Sequence, residues 1–487
     1  MRKADTGVAR EYRKGTGGIM AGSSINVREL AMETLTDVDR EKKTASEAMN
    51  ITLRNYQYMS KQERSFYTRL CNGTLENRIQ LDYKLDRISK TPVHKCKPYI
   101  RSILRMSAYQ ILFMNSIPDS AVCNEAALLT KKKGFRQLTG FVNGVLRNLI
   151  RQKDALTLPE READPVKAMS VQYSIPEWLV DKMRSWYSEE ITERIFRAFL
   201  QEPPLTVRIN LLRTTKEEVK TGLAAAGVKA ADGHYTDNTL QLTGYNYLNR
   251  IRAFREGLIT VQDESSVLQG YLIHPKAGDR ILDICAAPGG KSMQAAERLG
   301  LADRDRKGQP GSVLARDVSA SKVERIQENL ERMQYSNIET QVWDAVQPDP
   351  SRKEQFDFVI ADVPCSGLGV IGRKQDIKYR IRPEQLTELV NLQREILQQA
   401  VTYVKPGGML VYSTCTIHPG ENEEQVEWLT ENYPLEPENL HQYLPETLVN
   451  EVKDQPGTEL EQGYTTLLPG LQSCDGFFMA AFRKKKN

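Results

Sequence analysis

The sequence predicts a multidomain protein: an all-α region over residues 25–155, a small α+β domain over 166–245, and an α/β domain with a largely parallel sheet over 246–487. Three observations carry the prediction. Apolar residues recur at helical spacing throughout the first region. In the second the period switches from strand to helix and back. From about residue 257, short apolar runs alternate with helical stretches.

In INVRELAMETLTDV, Val27, Leu30, Leu35 and Val38 follow a helical period. KPYIRSILRMSAYQILFM repeats it with Ile100, Ile103, Leu104, Ile111 and Leu112, and stops before Pro118. SAVCNEAALLTKKKG and FRQLTGFVNGVLRNLIRQ complete a bundle. Arg101, Arg105, Lys131, Lys132, Lys133, Arg136, Arg147 and Arg151 add positive charge there, which suits either a nucleic-acid surface or solvated helix faces. DALTLPEREADP (154–165) is polar, carries two prolines and marks a linker.

After the helical PEWLVDKMRSWY, the chain takes strand spacing at Val207, Ile209 and Leu211, then helix spacing at Val219 and Leu223. Thr214 or Thr215 is the expected N-cap, and LQLTG returns to a strand. RILDICAA, SVLARDV, FDFVIADV and GGMLVYSTC are the apolar runs of the third unit. The clearest helix between them is PEQLTELVNLQREILQQAVTYV, with Pro383 early and Gly407–Gly408 after it. Such sheets bind ligands beyond the carboxyl ends of their strands.

Composition narrows the function class. Formal net charge is only +4, so no global basic field announces a nucleic-acid partner. No apolar run reaches the roughly 18–20 residues of a membrane span. Residues 1–24 are polar and Gly-rich and are expected to be a disordered leader. The seven cysteines form no close pairs, which argues against a disulfide framework or zinc knuckle and for reduced thiols in a cytoplasmic protein. The five histidines show no metal-ligand spacing, so no metal is expected.

The motifs fall at the strand ends. DICAAPGGKS (283–292) brings small residues and paired glycines to the start of a helix, where the backbone approaches a ligand closely. It is neither a dinucleotide fingerprint nor a P-loop. Asp317, ending the second run, suits a ribose diol, and Asp344, after the third, an adenine edge. Each aspartate alone reads equally as a helix cap; in series they outline an adenosine-containing cofactor. ADVPCSG supplies Asp362 and Cys365, and YSTCT supplies Cys415. A lone cysteine is usually core packing, yet both sit among turn residues at the ligand edge, where a thiolate beside a carboxylic acid suits attack on an electron-poor ring. His418 raises a Cys–His hydrolase reading that nothing else in the sequence supports.

Together DICAAPGGKS, ADVPCSGLG and YSTCTIHPGENEEQV resemble the RNA cytosine-5 methyltransferases that use S-adenosyl-L-methionine, and VRIN, VQDESS and DGFFMAAF match that family's flanking motifs. The resemblance spans about residues 166–487. Residues 25–155, above all FVNGVLRNL, resemble the NusB-like helical RNA-binding domain. The pairing is typical of the RsmB/Sun type of small-subunit ribosomal RNA methyltransferase. It implies an RRM- or ferredoxin-like middle domain and a Rossmann-like class I methyltransferase domain. It also implies a monomer acting on small-subunit rRNA.

By the same resemblance Cys415 is the nucleophile, Asp362 supports its attack, and Cys365 releases the methylated product. Cys285, Ala286, Ala287, Pro288, Gly289, Gly290 and Lys291 cradle the methionine part of the cofactor, with Asp317 on the ribose, Asp344 on the adenine side and Asp362 also cofactor-binding. Arg208 and Asn210 are expected near RNA or the cofactor loop, and Arg373 and Lys374 near RNA, with Lys378, Tyr379 and Arg380 continuing a basic, aromatic loop. That loop departs from the family's Arg–Arg–Pro-like run, and the 301–311 insertion has no assigned role. The alternatives are a tRNA cytosine-5 methyltransferase and a non-catalytic RNA-binding factor.

Overall fold

The computed structural model describes residues 25–40, 43–304 and 310–486; the expected leader and part of the 301–311 insertion lie outside them. The first region is helical from Val27–Asp39 to Thr139–Gln152. Thr44 with Glu47 and Ser60 with Glu63 close reciprocal caps at two helix starts. The helix Pro98–Phe113 runs through the middle of a core that includes Tyr67, Leu70, Ile103 and Leu146. The basic residues of this region divide. Arg105 turns inward, forking onto Asp82 at 2.7 and 2.6 Å and reaching Asp39 at 2.7 Å, and Arg101 joins it on Asp39. Lys131, Arg136, Arg147 and Arg151 remain exposed.

The middle sheet has the order β2-β3-β1-β4, from Leu205–Ile209 (β1), Lys229–Asp232 (β2), Thr239–Thr243 (β3) and Ile259–Val261 (β4). Its edge strand β4 comes from beyond the expected boundary at 245. The helices Pro165–Tyr173, Glu177–Trp186 and Glu189–Phe199, expected inside this unit, instead pack on Leu368, Ile371, Leu386, Ile417 and Leu468 of the C-terminal domain.

The C-terminal sheet follows β11-β12-β13-β9-β8-β5-β6-β7, with β10 beside β13. Its strands are Arg280–Asp283 (β5), Ser312–Asp317 (β6), Ile338–Val342 (β7), Phe356–Asp362 (β8), Val404–Thr414 (β9), Leu435–Pro437 (β10), Thr458–Glu459 (β11), Tyr464–Leu467 (β12) and Phe477–Lys484 (β13). The five from β9 to β7 are parallel, and β13 runs antiparallel to β9. Successive residues face opposite layers: Ile281 and Val411 meet the helix Gly290–Asp303, whereas Leu282 and Leu410 meet Pro383–Tyr403. Chain direction around the sheet reverses between β5 and β8, and the crevice opens at their carboxyl ends.

Polar groups lock the units together, and two sequence expectations change here. Arg208 is fully buried, giving one nitrogen to Glu297 at 2.5 Å and another to Gln262 at 2.9 Å. Asn210 is equally buried, donating to the carbonyls of Gly257 and Met333. Neither is free to meet RNA; both join the middle sheet to the C-terminal domain, Arg208 through Gln262 beside the loop that follows β5. Breaking a buried pair strands the remaining charge, so Arg208→Ala is expected to cost about 3–5 kcal/mol in urea unfolding. A loss under about 1 kcal/mol would remove this role.

The loop after Cys365 also turns inward. Lys378 is fully buried and donates to the Glu76 carbonyl at 3.0 Å, and burial lowers its pKa to about 7. The Tyr379 hydroxyl donates to the Leu75 carbonyl at 2.7 Å, and Arg380 to that of Lys43. Asp376 accepts from Ala45 N at 3.0 Å, capping a helix of the N-terminal domain. These residues dock the helical domain rather than hold phosphate or stack bases.

Candidate active site

β5 ends at Asp283, and the chain turns into the helix Gly290–Asp303 through ICAAPG. Gly289 takes φ +103°, a region that side chains disfavour. Ala286 N donates to the Arg316 carbonyl at 2.8 Å and Ala287 N to Asp317 Oδ2 at 2.9 Å, pinning the loop to the end of β6. Behind it lies a cavity of about 170 Å³. Cys285, Ala286, Ala287, Pro288, Gly290, Lys291 and Asp362 line it, together with Gln262, Asp263 and Asp283. Gly289 shapes the turn without lining the cavity.

Asp283 was not singled out in the sequence, although it opens the quoted motif. Ser292 Oγ donates to its Oδ2 at 2.6 Å, while Oδ1 is buried without a partner. Burial pushes its pKa up to about 7. An unsatisfied buried acceptor on a cavity wall favours a cationic donor. Asp317 is engaged by Ala287 N, Val318 N and, at 3.0 Å, Lys322, leaving about one of a carboxylate's four acceptor positions open. Asp344 is exposed and accepts from Val346 N at 3.3 Å. Between these aspartates Val318 and Val342 stand 52% and 49% exposed, an apolar pair that strand-end motifs do not flag. A cation acceptor, a glycine-lined loop and exposed apolar faces beside carboxylates fit S-adenosylmethionine, whose ammonium, ribose and adenine need those groups.

The register pairs Asp362 with Ser413, so the turns after β8 and β9 lie side by side. Lys291 Nζ reaches Asp362 Oδ2 at 2.7 Å, and Ser413 Oγ donates to Oδ1 at 2.9 Å. Three residues on, Cys365 Sγ lies 3.2 Å from Cys415 Sγ. The turns are cross-tied by Ser366 Oγ with Thr416 Oγ1 at 2.7 Å and by Gly369 N with the Cys415 carbonyl at 3.1 Å. Glu421, fully buried, accepts from Ser366 N at 2.9 Å and from Gln393 at 2.8 Å, and Gln393 also holds the Pro364 carbonyl. Glu421 lies inside the quoted YSTCTIHPGENEEQV but was not singled out there.

The hydrogen bond from Cys365 holds the Cys415 thiol below its ordinary range, against burial and Asp362, with Lys374 and Lys291 assisting. The same bond, with burial, raises Cys365 well above its own. Of the two thiols, Cys415 is therefore the one that ionises more readily. His418 does not join them: Nδ1 lies 3.3 Å from Glu421 Oε1 and its ring packs on Trp186.

Of the two loop cations expected at RNA, the structure separates one from the other. Arg373 binds Asp263 at 2.6 Å, Asp475 and the Pro204 carbonyl, so its charge is spent inside the protein. Lys374 is exposed. Among the described residues, no cluster of metal-ligating side chains occurs and no helix is long and apolar enough to cross a membrane.

Comparison with known proteins agrees with this architecture. The family model for the 16S rRNA methyltransferase RsmB/F matches residues 270–483, that of the NusB family 25–151, and that of the RsmF/B-like ferredoxin-like domain 175–247. A probable ribosomal RNA small subunit methyltransferase B of Bacillus subtilis (strain 168) is 34% identical, covering 94% of this chain and 99% of its own. One from Synechocystis sp. is 31% identical, covering 94% and 100%. The crystal structure of PH0851 superposes with a TM-score of 0.78 at 24% identity over 95% of this chain and 100% of that one, showing the shared fold. By sequence relationship over nearly its whole length, and with a site shaped for S-adenosylmethionine, the chain belongs to the RsmB/F family of rRNA small-subunit methyltransferases.

Proposed function

We propose that the protein methylates C5 of a cytosine in small-subunit ribosomal RNA through a covalent bond between Cys415 and C6. The observation that carries this is the thiol pair, 3.2 Å apart, beside Asp362 and the cofactor cavity. Cytosine C5 is a poor nucleophile. Attack by the Cys415 thiolate at C6 turns C5 into an enamine-like carbon. Asp362, with its side chain 31% exposed to the cleft, supports that attack through N3 and the exocyclic amine. S-adenosylmethionine, when bound, supplies an electrophilic methyl group for C5. Cys365, once it has passed its own proton to solvent, accepts the C5 proton; the C5=C6 double bond re-forms and the C6–S bond breaks, its electrons returning to Cys415.

Cys285 to Lys291 and Asp283 hold the methionine part of the cofactor, with Asp317 and Asp344 serving the ribose and adenine. The target base has to be unstacked to reach this crevice. Of the cations singled out in the sequence, Lys374, Lys131, Arg136, Arg147 and Arg151 stay exposed for phosphate, so rRNA binding weakens as salt rises.

The test is transfer of labelled methyl from S-adenosylmethionine to purified, unmodified small-subunit rRNA, with the product mapped. Label appearing as 5-methylcytosine is the expected result. Label on purified tRNA and none on rRNA would overturn the substrate, and methylation at another atom would overturn the reaction.

Asp283 gives a pH prediction. The cofactor's ammonium pairs with the ionised carboxylate, which the free protein loses as pH falls below about 7. Affinity for S-adenosylmethionine, by calorimetry, should therefore rise from pH 5.5 to about 7 and then level. Asp283→Asn should weaken binding by about 1.5–3 kcal/mol and flatten the profile. A variant binding like wild type at pH 8 would exclude the contact.

A further inference from the structure

Cys365 and Cys415 are free thiols 3.2 Å apart, and both are partly exposed to the cleft. A disulfide needs about 2.05 Å, so closure requires about 1 Å of approach. The cross-ties between the turns hold the backbones in place, leaving that approach to side-chain rotation. The other five cysteines are differently placed. Cys71, Cys96 and Cys123 lie buried in the helical domain, and among the described residues neither Cys285 nor Cys474 is hydrogen-bonded to another thiol.

We propose that the pair is a peroxide-reactive dithiol, in which Cys415 is the attacked sulfur and Cys365 the resolving one, and that its disulfide is a reversible off-state of the protein. The chemistry balances with a hydroperoxide as oxidant. The Cys415 thiolate attacks one peroxide oxygen; an S–O bond forms, the O–O bond breaks, and hydroxide leaves and takes a proton to become water. Cys415 is then a sulfenic acid. Cys365 sulfur attacks it; the S–S bond forms, the S–O bond breaks, and the departing hydroxide leaves as water with the Cys365 proton. Two thiols and one peroxide give one disulfide and two waters. A low-pKa, accessible thiol beside a resolving cysteine is the arrangement that favours this course over further oxidation. While the disulfide persists, Cys415 has no thiolate and Asp362 faces a closed pair.

The inference stands on the geometry of the pair and is read separately from cytosine methylation. The full-length protein, without RNA, is exposed to a small excess of hydrogen peroxide, alkylated under denaturing conditions and mapped by mass spectrometry. Wild type should fall from seven alkylatable cysteines to five, with the peptides of Cys365 and Cys415 linked, and dithiothreitol should restore all seven. Cys415 should react at least on the order of tenfold faster than Cys71, whose burial raises its pKa to about 12. In Cys365→Ala, Cys415 should pass to sulfinic acid that dithiothreitol does not recover, and in Cys415→Ala, Cys365 should stay reduced.

Wild-type Cys415 oxidised to sulfinic acid with Cys365 still alkylatable would overturn the proposal, as would equal reactivity of Cys415 and Cys71. The wild-type map alone decides if a variant fails to fold. A linked pair in a protein that leaves rRNA unmethylated would sink the functional reading and leave this one standing.

Discussion

Cys415→Ala is expected to lower methyl transfer to small-subunit rRNA by on the order of 10³-fold or more and to abolish the covalent protein–RNA adduct. No other thiolate is placed to replace it. Cys365 sits 3.2 Å away, but its hydrogen bond to Cys415 and its burial both raise its pKa. Alanine leaves the turn intact, since Thr416 still ties to Ser366 and the residue-415 carbonyl still accepts from Gly369 N. S-adenosylmethionine affinity should stay near wild type, which separates loss of chemistry from loss of fold. Methylation persisting within tenfold of wild type would remove Cys415 from the mechanism.

Cys365→Ala should give the opposite signature. Turnover falls by about 10²–10⁴-fold, the range of a lost proton-transfer group, while an adduct stable to denaturing electrophoresis accumulates. The substitution also removes the hydrogen bond that holds the Cys415 pKa down. That pKa then rises, less thiolate is present at neutral pH, and adduct formation shifts to higher pH. Adduct still builds up because its breakdown is slowed more than its formation. Normal turnover in this variant, or no adduct at any pH, would show that release does not pass through Cys365.

How far the sequence could be read depended on the range of the interaction. The helical bundle, the strands ending at Asp283, Asp317, Asp362 and Thr414, and the small-residue loop after β5 all follow from periodicity and turn chemistry within a dozen residues. Motif order matches position along the crevice only for β5, β6 and β7, since β8 and β9 lie on the other side of β5. Arg208 and Asn210 failed because VRIN looks like any half-exposed strand. Nothing near it reveals that Glu297, 89 residues on, waits on the far side. Lys378 and Tyr379 failed similarly: a basic, aromatic loop suggests RNA until Leu75 and Glu76, some 300 residues earlier, prove to cover it. The boundary at 245 missed β4 because an edge strand of three residues carries almost no pattern.

By itself, then, the sequence determined the fold class, the ligand-bearing edge of the sheet and the residues at that edge, since these depend on local hydrogen bonding and on which residues alternate. Only the tertiary structure decided which cations face inward and which of two cysteines ionises more readily. It also decided that Asp283 stays protonated to about pH 7. Charge state and exposure depend on desolvation and on through-space distances of a few ångströms, and those are fixed only when segments distant in the chain pack together.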